Sequence, residues 1–176
     1  MIVVVSSIAL VVLAALALLL RGRSSQDGDI KHDPLLPARV PQDVARWARA
    51  VKNEAENVGF PLHWKWGLAM LWQESGGDPE AVGERGEIGL MQVTSQALQD
   101  ARAVAPSLPS NIKNLGPREQ IRAGLAYASK LADYGAEGPE QIIRSYNEGP
   151  PPNTRPASQK HFERVRAKMD RLGGTE

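Results

Sequence analysis

The 176-residue chain contains no cysteine, so it forms no disulfide and carries no lipid on an N-terminal cysteine. It has three histidines, His32, His63 and His161, which are widely separated and do not form a His-Glu-x-x-His motif. The Gly-x-Ser-x-Gly motif of serine hydrolases is also missing. The sequence therefore predicts no metal site and no cofactor.

The chain also lacks an excess of charge of either sign, because 21 Lys and Arg residues are balanced by 20 Asp and Glu residues. A nucleic-acid-binding protein needs a basic stripe along the phosphate backbone, and this balance supplies none. The hydrophobic fraction of 42% is ample for a core. The length allows one folded domain and a short additional segment.

Residues 2–20 carry no charge and would span about 28 Å as a helix, close to the thickness of a bilayer core. We predict a transmembrane anchor at residues 1–20, with the lipid membrane as a partner. A cleaved signal peptide is the alternative, but the segment lacks a basic start and is longer than usual. Arg21 and Arg23 would hold the following domain in the cytoplasm under the positive-inside rule. Either this bias is too weak to decide the orientation, or delivery does not follow ordinary export.

Residues 21–41 are rich in Gly, Ser, Pro and charge and show no apolar periodicity, which predicts a flexible linker. Helical periodicity begins at Gln42, so residues 42–176 are predicted as the folded domain. The expected helices cover about 42–58, 62–75, 94–104 and 117–134, followed by a short one from Pro139 and a last one containing Phe162 and Leu172. No segment alternates as strands do. The predicted fold class is mostly α.

Glu74 stands at the end of an apolar helical segment, with Met70 and Leu71 one turn before it on the same face. A charged carboxylate in such a place costs free energy unless it is used. Glycosidic bonds break with the help of a carboxylic acid that protonates the leaving oxygen. Glu74 is therefore a candidate general acid, although an ordinary solvated helix-end glutamate fits the spacing equally well.

Three sequence blocks, the first of which begins with Glu74, favour the general acid over the solvated glutamate by resemblance. They are Glu74-Ser75-Gly76-Gly77-Asp78-Pro79, Gly86-Glu87-Ile88-Gly89-Leu90-Met91-Gln92 and Ser145-Tyr146-Asn147-Glu148-Gly149-Pro150. In order and separation they resemble the soluble lytic transglycosylase family, related to goose-type lysozymes, whose blocks read Glu-Ser, Gly-Leu-Met-Gln and Ala-Tyr-Asn-Ala-Gly. The resemblance spans roughly residues 55–170 and implies a lysozyme-like fold.

The resemblance also implies the site. Glu74 would be the general acid and base, Gln92 would line the saccharide groove, and Tyr146 with Asn147 would lie beside the glutamate. Ser75 and Met91 complete the expected substrate-binding set, although Met91 fits a core position as well.

Three positions depart from the family pattern. Gly83 and Thr94 stand where many members carry serine and methionine, and Glu87 replaces a small residue. Glu87 is either a charged loop residue or a second acid facing the groove. In the second case it could activate water.

The resemblance implies a peptidoglycan lytic transglycosylase that cleaves the β-1,4 bond between N-acetylmuramic acid and N-acetylglucosamine and forms a 1,6-anhydro product. The alternatives are a muramidase that uses water, and a glycan-binding component without turnover in an envelope-spanning machine or a virion. Local wall opening for phage genome delivery or for a secretion or conjugation apparatus would suit an anchored enzyme. The expected location is the bacterial envelope, as a single-pass membrane protein, or a phage virion.

Overall fold

The structure is a computed structural model that describes residues 36–151 and 155–174. Within these ranges the chain forms helices and two isolated β-bridges but no strand, so the predicted mostly-α class is confirmed. The helices are α1 Gln42–Ala45, α2 Ala48–Asn57, α3 Trp64–Ser75, α4 Ser95–Val104, α5 Pro117–Asp133, α6 Gly138–Glu148 and α7 Pro156–Arg171, with a 3-10 turn at Ile112–Asn114.

Helix ends follow local sequence signals. The Thr94 hydroxyl accepts a hydrogen bond from the Ala97 N–H at 3.1 Å and caps α4. Pro117 occupies the first turn of α5, where its missing N–H costs nothing. Gly76 ends α3 in the left-handed conformation, at φ +68°. These ends agree with the sequence prediction.

The single helix predicted over 42–58 is instead divided at Trp47. The Trp47 indole N–H and an Arg46 guanidinium N–H both donate to the Gly77 carbonyl, at 3.0 and 3.1 Å. These bonds join the turn to the loop after α3. A tertiary contact therefore fixes the break, and apolar spacing alone does not reveal it.

The central helix α3 packs against α2 and α7, while α5 packs against α2, α4 and α6. Gly67 permits the close approach of α3 to its neighbours, because a Cβ there would lie 2.7 Å from Leu125 Cδ2. Apolar side chains of all seven helices form one core. This core positions the last turn of α3, which carries Glu74.

A buried carboxylate joins α2 to α5. Glu54 has no exposed surface and binds Arg122 Nε at 2.7 Å and Arg118 at 3.0 Å. Asn57 donates a third bond to it at 3.3 Å. Burial raises the pKa of Glu54, but the hydrogen bonds and the positive charge of the arginines outweigh burial and leave the pKa below its usual value.

Residues that precede the first helix also pack into the core. Leu36 and Val40 are buried in the core, and Arg39 donates to the carbonyls of Asp170 and Arg171 at the end of α7. The contacts therefore reach six residues into the segment predicted as a linker. The predicted membrane span and the linker up to residue 35 lie outside the described residues. In the described ranges no helix is both long and apolar enough to cross a bilayer.

Candidate active site

An open cleft of about 460 Å³ lies where the end of α3, the loop 76–94 and the end of α6 meet. It is lined by Glu74, Gly83, Glu84, Arg85, Glu87, Gln92, Thr94, Ala97, Tyr127, Tyr146, Asn147, Glu148 and Gly149. Five of the seven predicted site residues are in this set: Glu74, Glu87, Gln92, Tyr146 and Asn147.

Glu74 enters the cleft from the last turn of α3 with 17% of its side chain exposed. Its Oε1 atom lies 3.3 Å from Nε2 of His161, a buried residue of α7. The carboxyl is thus shielded by protein on one side and open to the cleft on the other. This is the placement that a proton donor to a bound sugar requires.

Ser75 belongs to the framework of the cleft and not to its lining. Its hydroxyl lies 2.9 Å from the Leu90 carbonyl oxygen, to which it donates, and accepts from the Gly77 N–H at 3.1 Å. The residue after the acid therefore fastens both ends of the 76–90 loop to α3. The sequence predicted Ser75 as a substrate-binding residue, and in the structure its hydroxyl is bonded to the loop.

Gln120 of α5 holds the same loop from the opposite side. Its buried amide accepts from the Leu90 N–H at 2.9 Å and donates to the carbonyls of Pro79 and Leu115, both at 3.2 Å. Three backbone groups that would otherwise be unsatisfied are thereby paired. Gln120 is not among the predicted site residues, and the available signal for it was a polar residue among the apolar positions of α5.

Met91 lies in the core. Its side chain has no exposed surface and packs against Gly124, where a Cβ would lie 2.5 Å from Met91 Cβ. Of the two readings of Met91, the structure shows the core position, because α5 covers the side chain. The absence of a side chain at Gly124 permits this close contact between α5 and the loop.

Gln92 adopts a left-handed conformation, at φ +47°, which is uncommon outside glycine. Its amide nitrogen donates to the carbonyls of Gly89 and Ala81 at 2.9 and 3.2 Å. These bonds offset the strain and commit the nitrogen to the loop. The oxygen of the Gln92 side-chain amide is then the group that can accept a hydrogen bond from an N–H or hydroxyl of a ligand.

Tyr146 directs its hydroxyl at the loop as well, donating to the Met91 carbonyl at 2.8 Å. Its ring packs on Tyr127 with centroids 5.4 Å apart. Burial, followed by the nearby charge of Glu74, raises the pKa of Tyr146 well above its usual value, so the phenol keeps its proton. Asn147, the next residue, is exposed at the rim.

Glu87 is engaged by its own loop. Its two oxygens accept from the Arg85 N–H at 2.9 Å and from Arg85 Nε at 2.8 Å. Burial raises the pKa of Glu87, but hydrogen bonds from the backbone of Glu87 and Arg85 and the Arg85 charge outweigh burial, and the pKa falls below its usual value. Glu87 is therefore ionised at neutral pH, with both oxygens occupied.

Gly83 lies directly beside the side chains of Glu87 and Gln92. A Cβ on residue 83 would lie 2.5 Å from Glu87 Oε2 and 2.8 Å from Gln92 Oε1. A side chain at 83 would therefore require the ends of the Glu87 and Gln92 side chains to shift. The Glu87 carboxylate thus occupies the space beside residue 83.

Glu148 and His161 are charged or polar groups of the site that the sequence analysis did not select. The Glu148 side chain is 8% exposed and binds Arg155 Nε at 3.3 Å. The signal for Glu148 was its place in the third block, where the family has alanine. His161 lies in none of the three blocks. Throughout the described ranges no group of three or more His, Asp or Glu side chains could hold a metal ion.

A pair of glycine substitutions tests how the loop is held. Gly86 and Gly89 both have positive φ, +84° and +73°, but a Cβ at 86 meets open space while one at 89 overlaps the Gln120 amide. We expect Gly86→Ala to cost about 1 to 2 kcal/mol of strain, and Gly89→Ala to cost about 1 kcal/mol more. Only Gly89→Ala should also lower activity, because Gln92 moves with it.

Urea denaturation measures the loss of stability, and the loss of activity is measured in the glycan-cleavage assay of the function proposed below. Gly86→Ala is the matched control for backbone strain. Equal losses of stability and activity in both variants would show that contact with Gln120 does not matter.

The sequence model of the transglycosylase SLT domain matches residues 48–167 of the chain. Membrane-bound lytic murein transglycosylase F from Maricaulis maris (strain MCS10) is 31% identical over 122 residues, 61% of this chain and 25% of that protein. The fold is similar to that of an inactive mutant of the lytic transglycosylase Slt from Pseudomonas aeruginosa. The TM-score is 0.61 at 21% identity, over 73% of this chain and 24% of that chain. This chain thus matches about a quarter of the length of each.

Proposed function

Because the chain belongs to the transglycosylase SLT domain family, we propose that it is a peptidoglycan lytic transglycosylase. The proposed reaction cleaves the β-1,4 bond between N-acetylmuramic acid and N-acetylglucosamine and leaves a 1,6-anhydro end. The observation that carries the proposal is the partly shielded Glu74 carboxyl in a cleft that Gln92 and Tyr146 also line.

In the first step Glu74 donates its proton to the glycosidic oxygen while the bond from that oxygen to C1 of N-acetylmuramic acid breaks. The N-acetylglucosamine side leaves as an alcohol, and positive charge develops at C1. The substrate's own 2-acetamido oxygen can stabilise this charge in place of a protein nucleophile.

In the second step the ionised Glu74 takes the proton of the C6 hydroxyl as that oxygen bonds to C1. The 1,6-anhydro ring closes, Glu74 regains its proton, and no water is consumed. Activation of water by Glu87 would give a reducing end instead. The occupation of both Glu87 oxygens by Arg85 supports the anhydro outcome.

The cleft supplies polar contacts suited to a glycan. The Gln92 oxygen and the exposed Asn147 amide can accept from and donate to N-acetyl and hydroxyl groups. The tyrosines 127 and 146 add apolar surface for a sugar face.

Digestion of purified peptidoglycan sacculi tests the proposal. We expect soluble muropeptides whose mass is one water lower than that of the corresponding reducing products, because the anhydro ring closes without hydrolysis. Reducing muropeptides would indicate a muramidase. Sedimentation of the protein with sacculi, without release of any product, would indicate a glycan-binding component.

We further propose that the enzyme acts in the bacterial envelope, tethered through residues 2–20, and opens the wall locally. The uncharged N-terminal segment and the membrane-bound relative support the tether. Local opening would serve a secretion or conjugation apparatus or genome delivery from a phage virion. Fractionation of cells that express the full chain, with and without residues 2–20, tests the tether.

A further inference from the structure

A buried histidine faces the proposed acid from a different helix. His161 of α7 is 4% exposed, and its Nε2 atom lies 3.3 Å from Glu74 Oε1. Nε2 is shielded from solvent and makes no well-aligned hydrogen bond within the described part of the chain. A ring nitrogen buried without a well-aligned partner costs free energy, so its place beside a carboxylate calls for a reason.

Two contacts between α3 and α7 hold this pair in place. Trp66 stacks on Phe162 with ring centroids 6.3 Å apart. In the last turn of α3, Gln73 accepts a hydrogen bond from Lys168 Nζ at 2.8 Å. Because Phe162 follows His161 and Gln73 precedes Glu74, a sliding motion of either helix that separated the pair would also break these contacts.

The proposed reaction makes a particular demand on Glu74. The same carboxyl must give a proton to one substrate oxygen and take one from another, so it needs a fixed orientation. With a proton on Nε2, in either charge state of the ring, His161 is a donor aimed at Oε1. Catalytic hydrogen bonds are often long or poorly aligned without substrate and tighten when it binds.

We propose that His161 is a positioning residue that holds Oε1 of Glu74 and leaves Oε2 to exchange the proton with the glycan. This inference rests on the proposed function. It assigns a role to a residue outside the three sequence blocks that carry the family resemblance.

Two substitutions at position 161 test whether activity depends on an N–H at the position of Nε2 or only on the loss of the imidazole ring. A glutamine side chain can place an N–H near the position of Nε2, whereas the shorter asparagine reaches only that of Nδ1. In the full chain acting on soluble glycan strands, we expect His161→Asn to lower kcat by about 10- to 100-fold with KM changed less than about twofold. His161→Gln should restore most of kcat.

Ser158→Ala is the matched control, because Ser158 is a buried polar residue of the same helix that binds the Arg155 carbonyl. It should leave kcat unchanged. Thermal unfolding of each variant sets an assay temperature at which all are folded. Wild-type kcat in His161→Asn, or an equal fall in the Asn and Gln variants, overturns the assignment.

Glu74→Gln separates this failure from failure of the proposed function. If Glu74→Gln retains product release, the proposed function is wrong. If Glu74→Gln loses release while His161→Asn keeps full kcat, only the role of His161 is wrong. In the Glu74→Gln background, His161→Asn should cause no further loss, because the two residues act as one unit.

Discussion

Replacing Glu74 with glutamine is expected to abolish release of soluble muropeptides, with a loss of at least about 1,000-fold. Glutamine keeps the shape of the side chain and can still donate a hydrogen bond. Its amide is not acidic, however, so it cannot transfer a proton to the glycosidic oxygen. Both proposed steps therefore fail. The fold should remain, because Glu74 is partly exposed and lies outside the core.

Release of muropeptides from sacculi, followed by mass spectrometry, measures this loss, and circular dichroism checks the fold. Glu84→Gln is the matched control, since Glu84 is an exposed carboxylate that lines the same cleft. It should retain most of the activity. Release by Glu74→Gln at more than a tenth of the wild-type rate would mean that another group supplies the proton.

The largest effect on stability is expected at Glu54. Glu54→Gln removes the charge that Arg118 and Arg122 share, leaving both guanidiniums beside a neutral buried amide. Removing one partner of a buried ion pair costs about 3 to 5 kcal/mol. The arginine side chains are 64% and 29% exposed and can turn to solvent, so we expect the lower end, about 3 kcal/mol.

This contribution depends on pH in a direction that follows from the pKa shift. The pKa of Glu54 in the folded protein is below its usual value of 4.5, so the folded state favours the ionised form. The stabilisation is therefore fully present above about pH 4.5 and is lost as pH falls through the folded-state pKa. The difference between wild type and Glu54→Gln should be large at pH 7 and small in strong acid.

Urea denaturation at several pH values measures this difference. Glu56→Gln, two residues along the same helix on its exposed side, is the matched control and should change stability by less than about 0.5 kcal/mol. If both variants unfold at the same urea concentration at pH 7, the ion cluster does not stabilise the domain.

Local sequence signals were sufficient to predict the helix ends around the site and the position of Glu74. Thr94, Pro117 and Gly76 act through their own backbone or through residues within one turn, so their effect on helix ends can be read along the chain. The carboxyl at residue 74 follows from the same reasoning, because an apolar helix that ends at Gly76 places that residue in its last turn. These are short-range effects, and helix periodicity carries them.

The division of roles among the neighbours of Glu74 could not be read in this way. Ser75 and Met91 sit in the sequence blocks beside Glu74 and Gln92, yet one fastens the loop and the other fills the core. The difference comes from α5, which brings Gly124 against Met91 from more than thirty residues away. Sequence spacing carries no information about which helix covers which side of a loop.

The mostly-α class, the order of the helices and the acid at the end of α3 follow from the order of the residues alone, because they depend on periodicity, caps and one motif. Three further contacts depend on how the helices pack: Gln120 holds the loop, Arg118 and Arg122 bind Glu54, and His161 faces Glu74. Each of these contacts joins residues 30 or more positions apart. Their energies depend on burial and on distances of about 3 Å, and packing of the helices fixes both.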